Sequence, residues 1–162
     1  MENTTIATPV TAISSADLLE HYQGHRRLTR RLLEGFPEDR FFDYSIGGMR
    51  SVAALAMEQI NVSGMGVTGA ATRNWQTVPK REQPATKQEI LDLWDENTRL
   101  INEYWPLITE ERFQETDKAF GMYEGVVINL VLYFIDNEIH HRGQIYVYYR
   151  SLGLEPAPFY ER

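Results

Sequence analysis

The sequence predicts an all-α protein, a four-helix bundle with at least one long crossover connection. Three observations carry that class. Apolar residues recur at spacings of three and four in four long segments, nothing reads as a strand pair with a turn signal, and no internal repeat appears. At 162 residues, 43% of them hydrophobic, the chain is long enough to bury one real core. We expect one domain over 14–161, preceded by a flexible, Thr-rich segment over 1–13.

The first helix starts at "SSAD", with Ser14 as the cap and Asp17 in the first turn, where a carboxylate faces the positive end of the helix. Leu18, Tyr22, His25, Leu28 and Leu32 trace its apolar seam, and "GFPED" stops it. The basic cluster "HRRLTRR" (25–31) reads as the solvated face of this helix. The second helix begins at Ser51, after "SIGGMR". Val52, Leu55, Val62 and Met65 mark one face, with Glu58 and Gln59 on or beside it. "GMGVTG" (64–69) lacks the Gly-Lys-Ser/Thr ending of a phosphate loop and reads as a loosened or kinked helix end.

A polar stretch with Pro79 and Pro84 crosses to the third helix. Thr86 and Glu89 form the capping-box pattern there. Ile90, Leu91, Trp94, Ile101 and Tyr104 line that helix, Pro106 ends it, and "TEERF" (109–113) adds a short turn. The fourth helix runs from about Tyr123 to Leu152 and stops at Gly153 and Pro156. It is apolar nearly all round from Val126 to Ile135, as befits a helix central in its bundle or shared with a second subunit.

The seam of the fourth helix carries the chemistry. Leu130, Phe134, Asn137, His141, Ile145, Tyr148 and Leu152 recur every three or four residues, so Asn137 and His141 lie one turn apart among core positions. His140 lies about 100° away and cannot easily share an ion with His141. Glu138 and Arg142 have the i, i+4 order of an exposed ion pair. Gly143 costs a helix about 1 kcal/mol relative to alanine. We therefore expect another backbone to approach it closely, on the side of Ile139 and Val147.

Composition removes several function classes. There is no cysteine, so disulfides, thiolate zinc sites and a cysteine nucleophile are excluded. The formal charge of −7 argues against duplex nucleic acid as a partner. No apolar run approaches the roughly 18 residues of a membrane span, and the N-terminus lacks the basic start and apolar core of a signal peptide. The expected location is cytoplasmic. The serines show no nucleophile-elbow pattern. Trp75, Trp94 and Trp105 read as core or dimer interface.

The stretch "NEIHHRGQIYVYYRSLGLEPAPFYE" (137–161) resembles the DinB-like (DinB/YfiT) family, whose pattern there is His-x-x-x-His-Arg-Gly-Gln followed by a helix end with glycine and prolines. "RRLLEGFPEDRF" and "MRSVAALAMEQI" are compatible with it. The resemblance implies a stress-associated, DNA-damage-inducible four-helix bundle, often a homodimer. It also implies a zinc or nickel site of three histidines, one from the second helix and an i, i+4 pair from the fourth, used in thiol-dependent chemistry. Carried across, His141 matches the second histidine of that pair, Asn137 stands in place of the first, and Glu58 takes the second-helix position. A Glu–Asn–His set suits a harder ion such as manganese better than zinc. His25, on the seam of the first helix, is a candidate substitute ligand.

Two functions follow as expectations. One is a metal-dependent transferase or hydrolase acting on a small thiol or electrophile, with Glu58 and His141 holding the ion and Asn137 orienting its water. The other is a metal-free small-molecule-binding or interaction module, in which the same three side chains form a satisfied polar network.

Overall fold

The Ser14 cap and the Thr86–Glu89 capping box expected from the sequence both form, and Asp17 turns the first into a capping box as well. The hydroxyl of Ser14 accepts from the Asp17 amide at 3.1 Å, and that of Thr86 from the Glu89 amide at 3.3 Å. Ser51 caps its helix through the Ala54 amide at 3.3 Å. These caps open α1 (Ser15–Gly35), α2 (Val52–Thr72) and α3 (Lys87–Tyr104) in a computed structural model that describes residues 12–162. Residues 1–11 of the expected flexible segment lie outside the described residues. After a 3-10 turn at Trp105–Leu107, which contains Pro106, come the short α4 (Glu110–Gln114), β1 (Thr116–Ala119), β2 (Tyr123–Val126) and the long α5 (Val127–Ser151). Gly153, at φ 73°, ends α5 as expected. None of the described helices is long and apolar enough to cross a membrane.

The four long helices form the bundle. Helix α2 packs along both α3 and α5, and α1 closes the opposite side against the same two. The core is split. One apolar cluster gathers Leu32, Phe36, Leu55, Trp94 and Tyr148; the other gathers Tyr22, Val67, Trp105, Val127 and Phe134. On each helix a polar stretch separates the two.

That polar layer overturns two expectations. Glu138 and Arg142 are buried, and the carboxylate of Glu138 pairs with Arg26 of α1, Nη1 to Oε2 at 3.3 Å. The Thr29 hydroxyl donates to its other oxygen at 2.8 Å. Arg142 donates instead to His25 Nδ1 at 2.9 Å. Arg26, read as part of a solvated face, is fully buried: it donates to Thr98 and to the Trp94 carbonyl, and its guanidinium lies 4.1 Å from the centroid of the Trp94 ring. Periodicity placed these residues off the apolar seam, but α1 covers the face of α5 that carries them, and the exposed face at this level belongs instead to Asp136, Ile139, His140 and Gly143. Burial pushes the Glu138 carboxyl up, with the attraction of Arg26 opposing.

The glycines of α2 do not loosen it. The helix runs unbroken through Gly64, Gly66 and Gly69 and closes at Arg73 in the left-handed region. A Cβ at Gly66 would lie 2.4 Å from the Phe134 ring, and one at Gly69 would lie 2.4 Å from the indole of Trp75. These positions are bare so that aromatic rings can reach the helix backbone. Gly143 is the reverse case: it is exposed, and no heavy atom of a neighbouring element comes within 4 Å of a Cβ built there. The backbone expected to approach it does not come from the described part of this chain.

The hairpin is the clearest miss. Strands β1 and β2 pair antiparallel with Ala119 opposite Tyr123, and α5 starts at Val127 rather than Tyr123. The turn between them puts Phe120 at φ 55° and Gly121 at φ 71°. Asparagine or aspartate usually takes the left-handed place, so a phenylalanine there gives no turn signal. Its ring rests edge-on against Trp75, centroids 5.5 Å apart, and that contact offsets the strain.

Candidate functional site

Glu58 lies about two turns into α2, and Asn137 and His141 lie one turn apart on α5. Packing of α2 on α5 brings all three sequence-nominated residues together. His141 Nε2 is 2.9 Å from Glu58 Oε1. The Asn137 amide nitrogen donates to the same oxygen at 3.4 Å and stands 3.2 Å from His141 Nε2. His141 and Asn137 are buried, and the Glu58 side chain is partly open to solvent.

His140 turns away, as its helical angle requires, and meets Gln144 at 3.0 Å. His25 does not join the site. Its Nδ1 accepts from Arg142, and its Nε2 faces His21 and Arg162 at 3.2 and 3.1 Å. Burial, with Arg142, Arg162 and His21 adding to it, holds His25 down at about 3.

One member of the site was not found by sequence reasoning. Arg50, the residue before the Ser51 cap, pairs through Nη1 with Glu58 Oε2 and brings Nη2 to 3.4 Å from His141 Nε2. Its carbonyl is pinned by the Tyr148 hydroxyl at 2.7 Å. The only signal for it was position: a lone cation at the mouth of a helix that carries a carboxylate about two turns further on. Burial, then the charges of Arg50 and His140, push the His141 imidazole down to about 4. A neutral His141 that donates from Nε2 to Glu58 leaves Nδ1 as an acceptor, and that atom is buried without a partner, as is Asn137 Oδ1.

A divalent ion does not suit this donor set. Among the described residues no three His, Cys, Asp or Glu side chains come together as metal ligands. The third group is an amide whose nitrogen faces inward, satisfying the carboxylate. Arg50 already sets a positive charge on Glu58 and close to His141, so an ion between those two would meet a guanidinium.

Glu58 also edges two clefts. One, of about 610 Å³, lies between the hairpin and the helices α2 and α5; Val62, Phe120, Tyr123, Leu130 and Tyr133 are among its walls. The other, of about 430 Å³, opens on the Arg50 side beside Lys80 and Arg81. The carboxylate is therefore shared between an aromatic cleft and a basic one.

Comparison with known proteins gives the family of this fold. The uncharacterized protein YjoA of Bacillus subtilis is 25% identical over 154 residues, covering 91% of this chain and 97% of that protein. The crystal structure of that DinB-like protein superposes with a TM-score of 0.72 at 21% identity, over 90% of this chain and 98% of its own. A DinB-like protein from Bacillus cereus gives 0.66 at 16% identity, over 90% and 97%. The sequence pattern of the DinB family matches residues 1–162, and the chain belongs to that family.

Proposed function

We propose that this chain is a metal-independent small-molecule-binding module of the DinB family, with its ligand in the cleft of about 610 Å³ beside Glu58. One observation carries the reading: the chain's own donors hold both carboxylate oxygens of Glu58, Arg50 on one and His141 with Asn137 on the other. The guanidinium supplies the countercharge that an ion would otherwise bring. A carboxylate so held is a fixed negative wall. The cleft is within the range of about 300–1,000 Å³ that suits small organic ligands.

The test is metal content by elemental analysis, on protein purified without chelator and then challenged with zinc, nickel and manganese. Metal well below one equivalent supports the reading. Near-stoichiometric metal that vanishes in His141→Ala would overturn it, in favour of metal-dependent transfer or hydrolysis of a small thiol or electrophile.

We further propose a homodimer formed on the outward face of α5. Leu132, Ile139 and Val147 are 39%, 38% and 51% exposed there and flank the open Gly143. Light scattering coupled to size exclusion tests this: a monomer at all concentrations would rule it out.

A further inference from the structure

We infer that the cleft beside Glu58 takes an organic ammonium ion carried on an aromatic or aliphatic body. This deepens the small-molecule reading and rests on it. The charge of the walls is one-sided. Glu58 and Glu124 line the cleft, and no lysine, arginine or histidine does; Arg50 reaches Glu58 from the other cleft. Glu124 has no ion pair within 4 Å among the described residues, although Lys118 stands opposite it across the hairpin.

Glu58 retains capacity for one more donor. A carboxylate offers about four acceptor positions. His141 and Asn137 take two on Oε1 and Arg50 takes one on Oε2. An ammonium N–H fits the fourth. An anionic ligand would instead face two carboxylates, with no lysine, arginine or histidine among the residues that line the cleft.

The aromatic content points the same way. Tyr123 and Tyr133 are 61% and 57% exposed on the rim, and the rings of Phe120 and Phe134 stand behind them. Large aromatic side chains left in water around a cavity mark a binding surface. Ring faces also attract a desolvated cation. Val62 and Leu130 supply apolar surface for the body of the ligand. The chain's overall charge of −7 favours the approach of a cation.

A matched series tests the class: 2-phenylethylammonium, neutral 2-phenylethanol and anionic 3-phenylpropionate, each titrated into the full chain and followed by amide chemical shifts. The expected result is that the ammonium shifts amides of the hairpin and of α5 around Tyr133, and binds at least about threefold more tightly than the alcohol, with the carboxylate weakest. Glu124→Gln should cost the ammonium a similar factor and leave the alcohol unchanged. Tyr133→Ala should weaken both. Both substitutions fall on exposed side chains, so the fold is retained. Equal binding of all three probes, or an ammonium affinity indifferent to Glu124→Gln, would overturn the ligand class while the small-molecule reading stands. No shift in any cleft amide with any of the three would bring down both.

Discussion

Arg50 and Glu58 face each other across the first two turns of α2, and the same guanidinium stands 3.4 Å from the buried imidazole of His141. Removing the arginine should open the place where an ion would sit. We expect Arg50→Ala to take up zinc weakly where the parent protein does not, measured by competition with a chromogenic chelator. In the same variant the His141 pKa should rise from about 4 toward its ordinary 6.5, read from imidazole chemical shifts. An unchanged titration would show that Arg50 does not act on His141.

Acid should destabilise the fold through its histidines. The folded values of His141 and His25 are lowered to about 4 and about 3, so below pH 6.5 the unfolded chain binds protons that the folded chain refuses. Stability contributed in this way is intact above pH 6.5 and falls as pH drops toward 4 and then 3. Glu138, whose pKa is raised, acts in the opposite sense above its ordinary 4.5, losing stability as pH rises. The His141 contribution is isolated by comparing urea midpoints of the parent and His141→Gln between pH 7 and 4. The variant should show the shallower decline; parallel curves would refute the assignment.

The buried Arg26–Glu138 pair should be expensive to break from one side. Arg26→Met strands a carboxylate with little access to water, at a cost of about 3–5 kcal/mol in urea unfolding. Adding Glu138→Gln should restore part of that loss, because the unpaired charge is then gone. A double variant as unstable as the sum of the two singles would show that the pair is not coupled.

Two glycine-to-alanine changes should move stability in opposite directions. At Gly66 the new methyl meets the Phe134 ring, and overpacking should cost about 1–3 kcal/mol. At Gly143 the methyl enters open space, and the helix should gain about 1 kcal/mol in the monomer. Thermal unfolding at two protein concentrations separates the monomer gain from any loss of dimer at the α5 face.

Where local physics decides the outcome, the sequence was legible. Ser14, Ser51 and Thr86 cap because a hydroxyl must meet amides a few residues away, and that spacing is visible in the chain. The meeting of Glu58 with Asn137 and His141 was also accessible, through helical periodicity joined to a family likeness. What escaped depends on neighbours distant in sequence. Arg26 and Glu138 look like surface charges until four helices enclose them. Gly64 and Gly66 look like a helix losing order until Asn97 and Phe134 arrive to fill the space. Phe120 carries no turn signal, since its backbone conformation is held by a ring 45 positions earlier, that of Trp75. Arg50 joined the site through its place at a helix mouth, which no side-chain pattern announces.

The bare backbone at Gly69 reaches further than its own helix. Trp75 lies against it, Phe120 leans on Trp75, and Phe120 forms part of the cleft wall. The shape of the cleft is thus set in part by a missing side chain at a residue outside its lining. A bulkier residue there would displace the indole and with it the hairpin. A substitution at that remote position would reshape the cleft while every residue lining it stays the same.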